Sequence, residues 1–138
     1  MEGRNQMISM DYAISKSVTM SFNDTVNRVS SELQKEGFGI ITEIDLKSKF
    51  REKLGKDFRK YTILGACNPK LAYEAIQKES HIGVMLPCNV LVQEHEDGKV
   101  EVSAINPMQS IGVIGNPELE AMATQVSEKL KAALDRMI

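Results

Sequence analysis

The apolar positions change period several times along the chain, and each change marks an element. "DYAISKSVTM" places Tyr12, Ile14 and Val18 at even positions with Lys16 interrupting them, which predicts a strand. "SFNDTVNRVSSELQKEG" predicts a helix: Val26, Val29 and Leu33 share a face, Ser21 with Asp24 forms an N-cap, and Gly37 ends it. The Ile and Thr residues of "FGIITEIDL" favour a second strand. In "KSKFREKLGKDFRK" Phe50, Leu54 and Phe58 recur every fourth residue, but Gly55 opposes one continuous helix, so a short helix or ordered loop is expected.

"YTILGACN" returns to strand composition. Asn68 and Pro69 then suit an N-cap and a first helical position, and a short helix follows with Leu71, Ala75 and Ile76 inward. "IGVMLPCNVLVQEH" reads as one long strand with Val84, Leu86, Cys88, Val90 and Val92 on one face. "EDG" is a hairpin turn, and "KVEVSAI" alternates as its return strand. "NPMQSIGVIGNP" is a loop. The last helix starts at Asn116–Pro117 and carries Leu119, Met122, Val126, Leu130, Leu134 and Met137 in one stripe. The fold class is α+β: an antiparallel sheet of about five strands, two long helices on one face, and a short extra helix after Asn68. Residues 1–10 are patternless and read as a flexible leader, leaving 11–138 as a single domain.

Composition narrows the function classes. At 138 residues the chain buries enough surface to fold without disulfides or metal. A net charge of -2 argues against a general polyanion binder, and 5% aromatic residues without tryptophan argue against base-stacking platforms, so no nucleic-acid partner is expected. No apolar run spans a bilayer, and "MEGRNQMISM" lacks a signal-peptide core, so the expected compartment is the cytoplasm. There the two cysteines are reduced thiols.

Those cysteines sit in near-rhyming stretches, "YTILGACNPKLAYEAI" and "GVMLPCNVLVQE", and with the upstream "ITEIDLKSKFREKLGKDF" they resemble the bacterial and archaeal domain of unknown function 302 family. The similarity runs from about Asp11 to the final helix. It implies a β-α-β(4)-α order and a homodimer, and it implies no catalytic residue. The positions it carries over are Glu43, Asp45, Cys67, Asn68, Pro69, Pro87, Cys88 and Asn89.

Each candidate has a plain reading beside a chemical one. Cys67 and Cys88 are small apolar residues in or beside strands, Asn68 is a cap, and Pro87 marks a bulge or edge. Alternatively, Cys67 lies before a helix N-terminus that favours thiolate, and neighbouring strands would bring the sulfurs together for reversible oxidation. Metal ligation by Cys67, Cys88 and His81 matches no standard spacing, so no metal and no cofactor is expected. Glu43 and Asp45 alternate along one strand and share a side, as paired carboxylates or as a solvated face beside Lys47 and Lys49. The segment from Lys47 to Lys60 carries excess positive charge, which suits an anionic surface or a solvated connector. "GVIGNP" is a weak anion-binding candidate. The expected function is therefore a non-enzymatic domain binding an unknown small ligand or partner near the two Cys-Asn pairs. A thiol-dependent redox protein is the alternative, and an anionic-surface adaptor through residues 47–60 is third.

Overall fold

The computed structural model describes residues 7–138. Six strands form one antiparallel sheet: β1 (Met7–Ser9), β2 (Ala13–Val18), β3 (Gly39–Asp45), β4 (Tyr61–Cys67), β5 (Cys88–Glu94) and β6 (Val100–Ile105), in the spatial order β1-β2-β6-β5-β4-β3. The helices are α1 (Phe22–Lys35), α2 (Leu46–Leu54), α3 (Pro69–Lys78) and α4 (Pro117–Asp135), with 3-10 turns at Ser80–Met85, Pro107–Gln109 and Ile111–Ile114. The class is α+β, and the sheet has six strands against the five expected. The extra strand is β1, which pairs with β2 in the register Met7↔Lys16. Part of the expected leader is therefore ordered, and residues 1–6 lie outside the described residues.

One face of the sheet carries the core. Alternation sends Val90 and Val92 of β5, Val100 and Val102 of β6, and Leu64 of β4 beneath α1 and α4, all at 3% exposure or less. The α4 stripe answers them, with Leu119, Leu130 and Leu134 fully buried, as is Met137 just past the end of the helix. Burying a Leu or Val side chain contributes about 1.5–3 kcal/mol, so this interface dominates folding. The local caps form as the sequence implies. Ser21 Oγ accepts from Asp24 N (3.1 Å), Asn68 Oδ1 from Leu71 N (3.3 Å) and Asn116 Oδ1 from Glu118 N (3.0 Å). The hairpin turns through Gly98 at φ 86°, and His95 N donates to Lys99 O.

Three expectations need correction. The stretch before Cys88 is not strand: Ser80–Met85 is a 3-10 turn, the Leu86–Pro87 peptide is cis, and Val84 is 85% exposed. Its even spacing of apolar residues imitated a strand. Ile76 is exposed because α3 touches the body only along Leu71 and Ala75. Tyr12 precedes β2 and is exposed, whereas Lys16 lies on the covered face. Lys16 Nζ donates to Asp135 O (2.9 Å), so the cation sits at the carbonyl end of α4, where the helix dipole favours it. Of the two readings for the segment after β3, the short helix is the one that forms: α2 closes at Gly55 in the left-handed conformation (φ 65°).

Candidate functional site

β4 ends at Cys67, and the chain turns directly into α3, because Asn68 caps that helix and Pro69 opens it. β5 begins at Cys88, directly after the cis Leu86–Pro87 peptide. The two strands are neighbours, with Ala66 opposite Cys88 and Gly65 opposite Asn89. Both Cys-Asn pairs therefore meet at one end of the sheet.

Between this end, α3 and α4 lies an apolar cavity of about 30 Å³. Cys67, Asn68, Pro87 and Cys88 border it, together with Leu71, Ala75, Met122 and Val126 of the covering helices. The volume is roughly a fifth of the ~150 Å³ that accepts a benzene ring in an engineered protein. It holds a methyl-sized group.

Both thiols are free. Cys88 is buried, and burial, with a smaller contribution from the neighbouring Cys67, pushes its thiol up to about 11. Cys88 is thus held neutral at pH 7, which is the reverse of an activated nucleophile. Cys67 is half-buried at the start of α3.

The remaining signature residues take other places. Asn89 is exposed, on the sheet face opposite the core. Pro69 is exposed at the first turn of α3. Glu43 and Asp45 share a side, as their spacing implies, since they oppose Leu64 and Thr62. They lie on the edge strand, far along β4 from Cys67. Asp45 is the N-cap of α2: its carboxylate accepts from Ser48 N (3.1 Å) and Ser48 Oγ (2.9 Å), and these bonds hold its pKa below the usual value. A cap, rather than an acid–base partner for Glu43, is what this geometry provides. His81 is exposed and does not border the cavity.

Sequence reasoning missed two features. Gly65 is held open by close packing: an added Cβ would run into Thr42 Oγ1 and reach within 2.9 Å of Pro87 Cγ. Pro87 therefore packs over β4, a contact that no local pattern announces. The segment 47–60 is also less free than its charge implies. Phe50 and Phe58 meet edge to face at 5.1 Å, and Arg59 covers the Phe58 ring at 4.5 Å and bonds Gln93. Lys47 Nζ donates to Phe58 O (2.7 Å), and Arg51 pairs with Asp57. The recurrence of Phe50, Leu54 and Phe58 was the available signal for this cluster, although Phe58 lies beyond α2 and meets Phe50 across the turn at Gly55. Among the described residues no helix is long and apolar enough to cross a membrane.

No curated protein matches the chain. Its structure is similar to the crystal structure of an uncharacterised conserved DUF302 protein from Bacillus stearothermophilus, with a TM-score of 0.86 and 28% identity, covering 94% of this chain and 100% of the other. The family model for the domain of unknown function DUF302 matches residues 14–137, which span β2 to the end of α4 and take in both Cys-Asn pairs. The chain belongs to the DUF302 family.

Proposed function

We propose that this chain is a non-enzymatic binding domain, acting as a homodimer, whose cavity beside Cys67 and Cys88 receives a small apolar group of a ligand or partner. One observation carries the reading: Cys67, Asn68, Pro87 and Cys88 border the same apolar cavity. Apolar walls with a few polar atoms at one side are the usual make-up of a ligand site. The neutral Cys88 thiol supports binding over catalysis, because a protonated sulfur behaves as a soft apolar surface. The size of the cavity limits the bound group to a methyl-sized tip. Xenon is a suitable probe of such a space. The expected result is that dissolved xenon shifts the methyl NMR signals of Leu71, Ile111 and Val126, and that Ala75→Val, the smaller apolar enlargement at the cavity wall, reduces the response. Unshifted methyls in the unmodified protein would sink the idea. Native mass spectrometry of freshly purified protein would reveal any retained ligand.

A thiol-dependent redox role is the second reading. It is favoured by two free cysteines at the ends of neighbouring strands, one of them half-buried at a helix N-terminus. Oxidation would join the two sulfurs, releasing two protons and passing two electrons to an external disulfide. The raised Cys88 pKa works against it. If incubation with oxidised glutathione leaves the mass unchanged and both thiols titratable after unfolding, this role is excluded. Binding to anionic surfaces through 47–60 has less support, since several of its cations are already engaged within the segment.

A further inference from the structure

We infer that the uncovered face of the sheet is the surface through which two copies of this chain pack together; the inference rests on the homodimer reading above and assigns its interface. The register traces one row across all six strands of that face: Ile44, Ile63, Leu91, Ser103, Ser15 and Ile8. An antiparallel sheet with one solvated face normally presents polar side chains there. This row instead presents Ile44 at 42% exposure, Ile8 at 58%, and half-buried Ile63 and Leu91.

The two serines in the row are bonded to each other. One hydroxyl donates to the other at 2.6 Å, so each has a partner, and Ser15 is already buried at 1% exposure. Glu101 is the only charged residue that the register places on this face of the described strands, although charged residues are 26% of the chain. Its carboxylate is already bonded to His95 Nε2 at 2.9 Å. Depletion of charge with retained apolar and tyrosine surface marks the core of an interface. Tyr12 and Tyr61 flank a shallow trough across the same face.

A second copy is the occupant that fits. The inner strands are bonded on both sides, so the face offers side chains only and no main-chain groups to an added strand. Six strands about 4.8 Å apart and about 20 Å long give roughly 500 Å² per copy, or roughly 1,000 Å² in a symmetric pair. That area sits at the lower bound of a specific interface, and a single peptide would cover only a strip of it. Two copies of this face also bring no unpaired like charges together.

Sedimentation equilibrium from about 1 to 200 μM tests the assignment, with Ile44→Lys, Leu91→Lys and, on α3 away from the face, Tyr73→Lys. The expected result is a wild-type dimer of micromolar affinity, weakened at least 30-fold by Ile44→Lys and by Leu91→Lys and unchanged by Tyr73→Lys. Ile44 is partly exposed, so its variant folds even if Leu91→Lys does not; the circular dichroism of each variant is checked against wild type. A dimer that survives both face variants overturns the assignment and leaves the homodimer standing. A wild-type monomer at every concentration overturns both and leaves the face to a different protein. The xenon response of the cavity is independent of either result.

Discussion

Cys88 shows how a residue can look chemical in sequence and be structural in the fold. Its thiol lies under α3 and α4, and its pKa is raised from 9.0 to about 11 by burial first and by Cys67 second. A raised pKa means that the folded state prefers the neutral thiol. The associated stability is complete below pH 9 and is lost as pH rises from 9 to about 11. Two pKa units correspond to about 2–3 kcal/mol. Urea unfolding at pH 8 and pH 11 should therefore show a larger loss for wild type than for Cys88→Val, by about that amount. Equal losses would mean that folding does not raise the Cys88 pKa. The same burial orders the reactivity of the two thiols. At pH 8 an uncharged alkylating reagent should modify half-buried Cys67 well before Cys88, and mass spectrometry of timed samples gives the order directly. Simultaneous labelling would contradict the burial difference.

At the scale of elements, β3, β4 and the turn before β5 are locked together at Gly65. Gly65 has an ordinary strand conformation, so its requirement is space and not a positive φ. Thr42 from β3 fills the position from one side and the Pro87 ring from the other. Gly65→Ala forces both to move, and overpacking of this kind costs about 1–3 kcal/mol. Thr42→Gly placed in the Gly65→Ala background should recover part of that loss, because it removes the nearer clash and leaves Pro87. A thermal melt of the two single variants and the double variant would measure the coupling. Additive losses would show that Thr42 and Gly65 do not compete for space. This junction also marks where sequence legibility ends. The caps at Ser21, Asn68 and Asn116 and the turn at Gly98 were readable, because each is a bond between residues two to four apart. The meeting of the Cys-Asn pairs was readable only as a condition on strand adjacency, which the β4–β5 register meets. Asn89 on the uncovered face follows from the alternation of Cys88, Val90 and Val92, whereas Pro87 over Gly65 depends on contacts across strands that leave no local pattern. The 3-10 turn at Ser80–Met85 was misread because Val84 and Leu86 continue the two-residue spacing of β5 by coincidence.

The whole molecule is closed by a contact between its first helix and its last residues. Glu32 of α1 is 1% exposed, yet it is ionised, because Arg136 Nε reaches it at 2.6 Å, Arg28 Nε at 2.8 Å and Lys35 Nζ at 3.2 Å. Arg136 also bonds Glu36 (2.9 Å) and the Glu32 carbonyl (3.2 Å), so one guanidinium joins α4 to the C-terminal half of α1. Beside it, Met137 is fully buried and Ile138 O accepts from Thr19 N at 3.1 Å. Periodicity cannot reveal such a carboxylate, since its principal partner lies 104 residues away. The bonds from Arg136 and then Arg28 hold the Glu32 pKa down from 4.5 to about 2, against the opposing effect of burial. A depressed pKa stabilises the fold above the unfolded value, so this contribution is complete above about pH 4.5 and is lost as pH falls towards 2. The shift corresponds to about 3 kcal/mol, and the half-exposed cations reduce it to about 1–2 kcal/mol through screening. Glu32→Gln keeps the shape and removes the charge, leaving Arg136 without its main partner. The expected result at pH 7 is a loss of about 2–4 kcal/mol, because the stranded guanidinium adds to the lost bonds. Between pH 4.5 and 2 the gap between wild type and variant should shrink, as protonation of Glu32 makes the two alike. Denaturant unfolding across that range reads the difference, and a gap that stayed constant with pH would show that the ion cluster does not govern the acid limit of the fold.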